Sequence, residues 1–361
     1  MVAEAMLPSA APVRFVTADG AALEPPASYA WPSTERLIET YRRMVLGRRF
    51  DQQAASLVRQ GRLAVYPSAA GQEACQIGAG VAMREGDWLF PTYRDSMALI
   101  AHGVEPAEVL ELLRGGWHCG YDPHAVRVAP QCTPLATQLP HAVGMATALR
   151  RRGDGDVVVA FTGDGGTSEG DFHEALNFAA VSRVPVVFLV QNNQYAISVP
   201  LDKQTAAPTL AHKGVGYGVP SEQVDGNDAA AVLSVMDEAI ARARRDGGPF
   251  LVEAHTYRMD SHTNADDATR YRSDDEVRQW RAADPLSRLE SYLRDLGALS
   301  DADVDTMTAD AETFADAVRT RLHQDPEVRP LELFEHVYAE PTRPLAAQRD
   351  LLADELAVQE A

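Results

Sequence analysis

The middle of the chain alternates between short apolar runs and stretches of helical periodicity. Val157-Val158-Val159-Ala160-Phe161, Val184-Pro185-Val186-Val187-Phe188-Leu189-Val190 and Phe250-Leu251-Val252-Glu253-Ala254 are the apolar runs. Phe172 to Val181 and Ala229 to Arg245 lie between them and repeat their apolar residues at helical spacing. Strands that are apolar on both faces need cover on both faces. The pattern therefore predicts an α/β fold, a mostly parallel sheet with helices on both sides.

Outside this core, Ser33 directly follows Pro32 and suits the N-cap of a helix. Leu37, Tyr41, Met44, Val45, Phe50, Ala54, Leu57 and Val58 recur along that helix. Gln72 to Met83, Pro106 to Leu113, Asp275 to Ala298, Asp301 to His323 and Leu331 to Tyr338 predict further helices. Residues 1–32 are proline-rich and read as an extended arm, with a small hairpin of Phe15-Val16-Thr17 and Ala21-Ala22-Leu23 about Asp19-Gly20. Residues 33–340 are expected to form one domain and residues 341–361 an acidic helical tail. Residues 257–275 form a polar connection, long enough to be functional.

Composition narrows the function. The 361 residues are 45% hydrophobic and 24% charged, with a formal net charge of −19. Such an acidic surface repels phosphate backbones, so no nucleic-acid partner is expected. No long apolar stretch predicts a membrane helix. Three cysteines, Cys75, Cys119 and Cys132, fit a reducing compartment. With an N-terminus that resembles neither a secretory signal nor a transit peptide, a cytoplasmic location is expected.

Ligands of open parallel sheets bind beyond the carboxyl ends of the strands. Gly163-Asp164-Gly165-Gly166 leaves one expected strand end and Asn192-Asn193 leaves the next. A carboxylate and an amide oxygen converging there suit a hard cation such as Mg²⁺ that keeps substrate phosphates in its remaining positions. The glycines let backbone approach a diphosphate, and the following helix offers its N-terminus. A dinucleotide fingerprint would need glycine where Ser168 stands and an acidic residue at Gln191 to Asn193. The plainer alternative is a glycine-rich turn with Asp164 capping a helix.

Gly163-Asp164-Gly165 followed by Asn193 resembles the thiamine-diphosphate signature. Gly71-Gln72-Glu73-Ala74, Phe90-Pro91-Thr92-Tyr93-Arg94, Ser168-Glu169-Gly170-Asp171, Asn192-Asn193-Gln194-Tyr195-Ala196-Ile197-Ser198 and Tyr271-Arg272-Ser273 stand in the order found in alpha subunits of the 2-oxoacid dehydrogenases. The resemblance implies thiamine diphosphate with Mg²⁺, the metal held by Asp164, Asn193 and the carbonyl of Tyr195. It further implies that Tyr93, Arg94, Gly165, Gly166 and Gln191 face the cofactor. Branched-chain members often carry arginine where this chain has Gln191, so a cationic contact is missing and Arg94 matters more. His262, on the long polar loop, becomes the expected acid or base, with an imidazole titrating near neutrality.

Gln131-Cys132-Thr133-Pro134-Leu135-Ala136-Thr137-Gln138 resembles the potassium-binding loop of the branched-chain type. On that resemblance Cys132 and Pro134 offer carbonyls, Thr137 and Gln138 offer side-chain oxygens, and Thr133 and Leu135 line the substrate end. His118, Cys119 and His124 lack a second pair at zinc-site spacing and are expected to be structural. The family implies oxidative decarboxylation of branched 2-oxoacids with acyl transfer to the lipoyl group of a dihydrolipoyl transacylase. It also implies a beta subunit, two alpha with two beta chains, to supply the carboxylate for the aminopyrimidine ring. A pyruvate or acetoin dehydrogenase subunit and a non-catalytic paralogue are the alternatives, and Thr263 is a residue that could accept phosphate.

Overall fold

The computed structural model describes residues 6–116, 118–324 and 329–360, so the first five residues of the expected arm and the last of the expected tail lie outside it. Two compact units are present, residues 1–321 and residues 322–361. The first unit is the expected α/β fold. Its sheet has five strands, β1 (Trp88–Phe90), β2 (Val158–Gly163), β3 (Val186–Asn192), β6 (Ser221–Asp225) and β7 (Phe250–His255), in the order β1-β2-β3-β7-β6, all parallel. A separate two-stranded hairpin joins β4 (Tyr195–Ala196) to β5 (Val199–Pro200). The three apolar runs became β2, β3 and β7. β1 has only three residues, and β6 escaped the sequence reading because its Ser-Glu-Gln-Val-Asp is polar.

Side chains alternate across the strands, and each face has its own cover. Val158, Ala160, Val186, Phe188, Val190 and Leu251 pack against the helices Gln138–Arg152 and Gly170–Ser182. The opposite face carries the helix Ala229–Asp246, backed by Glu73–Ala82 and Thr34–Arg59. Ser33 caps the last of these, its hydroxyl accepting from Arg36 N–H at 3.3 Å. The stretch expected as one helix from Asp275 to Ala298 is two, Asp274–Arg281 and Pro285–Asp295, because Pro285 cannot continue a helix and Asp284 caps the second. Pro106 to Leu113 likewise splits, at Leu110. Leu331 to Tyr338 forms only a 3₁₀ turn over Pro330–Phe334, and Arg343–Glu360 is the tail helix of the second unit. Among the described residues no helix is long and apolar enough to cross a membrane.

The arm is docked as a strand extension. Val13 pairs with β6 through Val13 N–H to Gln223 O at 2.9 Å and Asp225 N–H to Val13 O at 3.0 Å. The hairpin forms as expected, with Leu23 N–H donating to Phe15 O at 2.7 Å and Gly20 at φ 98°. Phe15 packs edge-on to Trp31, which stacks on Tyr292. Asp228 gathers the whole region. Its carboxylate accepts the N–H of Phe15 and of Val16 at 2.7 Å each, caps the helix at Ala231 and pairs with Arg288 at 3.3 Å. Asp228→Ala strands two buried backbone donors and removes one of the two carboxylates paired with the buried Arg288, leaving Asp225 at 3.0 Å. The expected loss is about 3–5 kcal/mol, seen as a lower melting temperature with new proteolytic cleavage near Phe15.

Candidate active site

Four adjacent strands end on one edge of the sheet, and each delivers polar residues there. β1 runs into Thr92-Tyr93-Arg94, β2 into Asp164-Gly165-Gly166, β3 into Asn192-Asn193 and β7 into Thr256-Tyr257-Arg258. Registry sets the neighbours, with Gly163 beside Gln191 and Asn192 beside His255. Over this edge opens a cavity of about 390 Å³. Of the residues expected at the site, Tyr93, Arg94, Leu135, Asp164, Gly165, Gly166, Gln191, Asn193, Tyr195 and His262 line it. Thr133, Cys132, Pro134, Thr137 and Gln138 do not. The loop reverses at Ala136, φ 65°, which turns Leu135 to the cavity and leaves Thr133 exposed.

Three oxygens meet on the cavity wall. The Asn193 side-chain oxygen lies 3.3 Å from Asp164 Oδ1 and 3.1 Å from the Tyr195 carbonyl oxygen. Without a cation such an arrangement is repulsive, and the reversed amide would donate to both neighbours. Around Mg²⁺, oxygens at about 2.1 Å from the metal sit about 3 Å apart in adjacent positions. The donor set therefore fits a hard divalent ion, and among the described residues no cluster of three or more His, Cys, Asp and Glu offers a softer site. Asp164 is buried, which raises its carboxyl above the ordinary range, while Gln204 Nε2 donates to its Oδ2 at 2.7 Å. It makes no helix-capping bond, so the plain capping alternative does not describe it.

The glycines of this loop have packing reasons. A Cβ on Gly165 would stand 2.8 Å from the Ala196 methyl, and one on Gly166 would stand 2.3 Å from Thr162 Oγ1. Ala196 and its hairpin thus press the loop down onto β2, leaving both glycine backbones on the cavity. Next along the hairpin, Ile197 holds φ 56°, a strained conformation for a β-branched residue, and its carbonyl accepts from Arg258 Nη2 at 2.7 Å.

His262 enters from the polar loop, and two guanidinium groups converge on its Nδ1, Arg94 Nη2 at 3.0 Å and Arg258 Nη1 at 3.2 Å. Both are obligate donors, so Nδ1 accepts and the proton resides on Nε2. The expected titration near neutrality is corrected here. Burial first, and then the charges of Arg94 and Arg258, push the imidazole down to about 4. The loop is tied by Asp266, whose Oδ2 accepts His262 N–H at 2.8 Å and the Tyr271 hydroxyl. Arg94 reaches the loop as well as the cavity, donating through Nη1 to Ser68 O at 2.7 Å and through Nη2 to His262 O at 3.0 Å.

Gln191 lines the cavity with both amide ends engaged, Nε2 to Asp95 Oδ1 at 2.5 Å and Oε1 from Gln76 at 3.2 Å. Gln138 donates to Phe161 O at 2.7 Å while its buried Oε1 has no partner, and Thr137 bonds Asp171 at 3.2 Å. His118 accepts from Gly120 N–H, Cys119 bonds the Tyr121 carbonyl and His124 rests against Trp88, three separate local roles. Sequence reading missed Gln72, Glu169, Lys203, Gln204 and Arg258 on the cavity wall. Arg258 was accessible to it, since it follows the carboxyl end of a recognised strand. Gln72 and Glu169 stood inside quoted motifs without a role, and Lys203 and Gln204 arrive through a turn with no periodic signal. The Gln72 Nε2 group is buried without an acceptor, as is Gln204 Oε1 without a donor, both on a wall shaped for a polar ligand.

A model of the family described as "Dehydrogenase E1 component" matches residues 41–330. The 3-methyl-2-oxobutanoate dehydrogenase subunit alpha of Mycobacterium tuberculosis (strain CDC 1551 / Oshkosh) is 47% identical over 346 residues, 96% of this chain and 94% of that protein. The pyruvate dehydrogenase E1 component subunit alpha of Staphylococcus aureus (strain Mu50 / ATCC 700699) is 45% identical over 264 residues, 73% of this chain and 71% of that protein. The same subunit of strain MRSA252 is 44% identical over the same length.

The imidazole geometry has a pH signature. Between about 4 and the ordinary 6.5 the unfolded chain binds a proton at this residue that the folded chain does not. The contribution of His262 to stability is thus complete above that window and shrinks as pH falls through it. A ring titration followed by NMR should show a midpoint well below 6.5 for His262, and Arg258→Gln should move it upward. A midpoint near 6.5 in the unaltered protein would contradict the two-guanidinium arrangement.

Proposed function

The chain belongs to the dehydrogenase E1 component family, and on that premise we propose that it is the alpha subunit of a branched-chain 2-oxoacid dehydrogenase. Its reaction is the oxidative decarboxylation of acids such as 3-methyl-2-oxobutanoate, with the acyl unit passed to the lipoyl group of a dihydrolipoyl transacylase. The observation that carries the reading is the meeting of Asp164, Asn193 and the Tyr195 carbonyl on the wall of a cavity at the strand ends. Substrate preference is supported by the mycobacterial relative, which is similar along nearly the whole chain. Leu135, Ile197 and Val199 also place exposed apolar side chains on the cavity wall, a surface suited to an aliphatic branch.

Asp164, Asn193 and the Tyr195 carbonyl would hold Mg²⁺, and Tyr93, Arg94, Gly165, Gly166 and Gln191 would face thiamine diphosphate. When bound, that cofactor supplies the electron sink for carbon–carbon cleavage. The protein supplies position and charge. Burial removes water from Asp164, so its carboxylate is stabilised by a cation rather than by solvent. The Gly165 and Gly166 backbone leaves room for phosphate oxygens. His262, neutral at physiological pH, presents Nε2–H as a fixed hydrogen-bond donor, held by Arg94 and Arg258. With Nδ1 engaged by both guanidinium groups, Nε2 keeps its hydrogen and the ring acts as a donor rather than as a base. A potassium ion would take the Cys132 and Pro134 carbonyls with Thr137 and Gln138, and the partnerless Gln138 Oε1 supports that placement. A beta subunit would complete the site in a cytoplasmic assembly of two alpha and two beta chains.

A second reading, a pyruvate dehydrogenase alpha subunit, is favoured by the staphylococcal relatives and by the neutral Gln191. Turnover by this chain co-purified with its beta subunit distinguishes them, comparing 3-methyl-2-oxobutanoate, 4-methyl-2-oxopentanoate and pyruvate with and without thiamine diphosphate and Mg²⁺. Preference for the branched acids is expected, and turnover of pyruvate alone would reverse the specificity. Asp164→Ala should weaken Mg²⁺-dependent cofactor binding by more than the roughly 10–100-fold that follows loss of an outer-shell partner. Unchanged cofactor binding in that variant would remove Asp164 from the site.

A further inference from the structure

We propose that Lys203 supplies the diphosphate of the cofactor with the positive charge that the neutral Gln191 at the end of β3 does not. The inference rests on the cofactor reading above and concerns how this chain balances charge. A diphosphate with Mg²⁺ retains net negative charge, and a cavity that holds it needs a further cation. Three basic side chains line the cavity: Arg94, Lys203 and Arg258. Arg94 commits both Nη2 hydrogens to His262 and one Nη1 hydrogen to Ser68 O, which fixes its position. Arg258 commits its own terminal nitrogens to Ile197 O at 2.7 Å, the Tyr271 hydroxyl at 3.0 Å and His262. Gln191, with Asp95 and Gln76 on its amide, is neutral and fully engaged.

Lys203 differs from both arginines. Among the described residues its ammonium has no hydrogen bond and no ion pair, while its place is fixed. It ends the 3₁₀ turn Leu201–Lys203, which is fastened at one end by Leu201 N–H to Gln194 O at 3.1 Å. At the other end Gln204 donates to Asp164 Oδ2 at 2.7 Å and to Val199 O at 2.9 Å. The turn therefore hangs a free cation from the carboxylate proposed to hold the metal. An ammonium is a compact charge that can follow a phosphate oxygen without a fixed fork geometry. Its head is exposed, so the contact is screened by salt.

The test is direct cofactor binding to the alpha–beta complex at saturating Mg²⁺, followed by quenching of tryptophan fluorescence. Lys203→Met should raise the Kd for thiamine diphosphate about 5- to 20-fold, and Lys203→Glu more. Lys203→Arg should stay within about threefold of the unaltered complex. The loss should shrink in high salt, and binding of thiamine, which has no phosphate, should not change. Equal thiamine diphosphate affinity in the Met and Glu variants and the unaltered complex would overturn the inference and leave the cofactor reading standing. A raised KM for the 2-oxoacid with unchanged cofactor Kd would overturn it too, placing Lys203 at the substrate carboxylate. An unaltered complex that binds no thiamine diphosphate would remove the reading on which the inference rests.

Discussion

Everything at the site depends on the parallel hydrogen-bond registry between β2 and β3. Because Gly163 lies opposite Gln191, β3 runs one residue past β2, and Asp164 and Asn193 leave the two ends close enough for their side chains to meet. A parallel ladder repeats in steps of two residues, and a slip of one would invert every side chain on both faces. Val158, Ala160, Val186, Phe188 and Val190 then would face the wrong helices, so the core enforces the registry that the oxygens need. The chemistry of the edge is in this sense a product of aliphatic packing some distance beneath it. β1 and β7 join the same alignment and deliver Arg94 and Arg258 from either side.

Much of this was legible in the sequence because it is carried by local pattern. Three apolar strands, the Ser33 cap and the order of short motifs need no knowledge of distant contacts. What escaped is what tertiary contact decides. β6 is polar by composition and is a strand because β7 and the arm sandwich it. The helix Gln138–Arg152 went unassigned, although its apolar face packs on β2. His262 was found and its titration misjudged, since the ring's charge state depends on Arg94, which lies 168 positions away in sequence. Lys203 and Gln204 were missed because a turn gains meaning only from what it is fastened to.

The polar loop from Arg258 to Arg272 owes its shape to charged groups bonded to backbone and to one another. Arg272 holds the carbonyls of Arg258 and Met259, Asp266 holds His262 N–H and the Tyr271 hydroxyl, and Ser68 reaches Asp260 at 2.8 Å. Apolar backing comes from Met259 and Tyr271, which pack with Tyr195 and Tyr257, and these polar bonds order the segment between them. Thr263 sits within it, its hydroxyl accepting from Ala265 N–H at 3.4 Å. A charge added there would stand among the groups that shape the loop and orient the imidazole.

Both borders of the sheet are finished by irregular segments of the same chain. Val13 lies along β6, and Val128 and Cys132 bridge to Leu89 and Thr92 beyond β1. Strand borders left open recruit further strands, from other copies or from unfolded neighbours. Each border is thus partly occupied by the chain's own backbone, which disfavours a second chain continuing the sheet. Association is then steered toward side chains, whose shapes and charges discriminate among partners, rather than toward backbone groups, which every protein shares. A subunit built to be combined thereby keeps the choice of companion in its sequence.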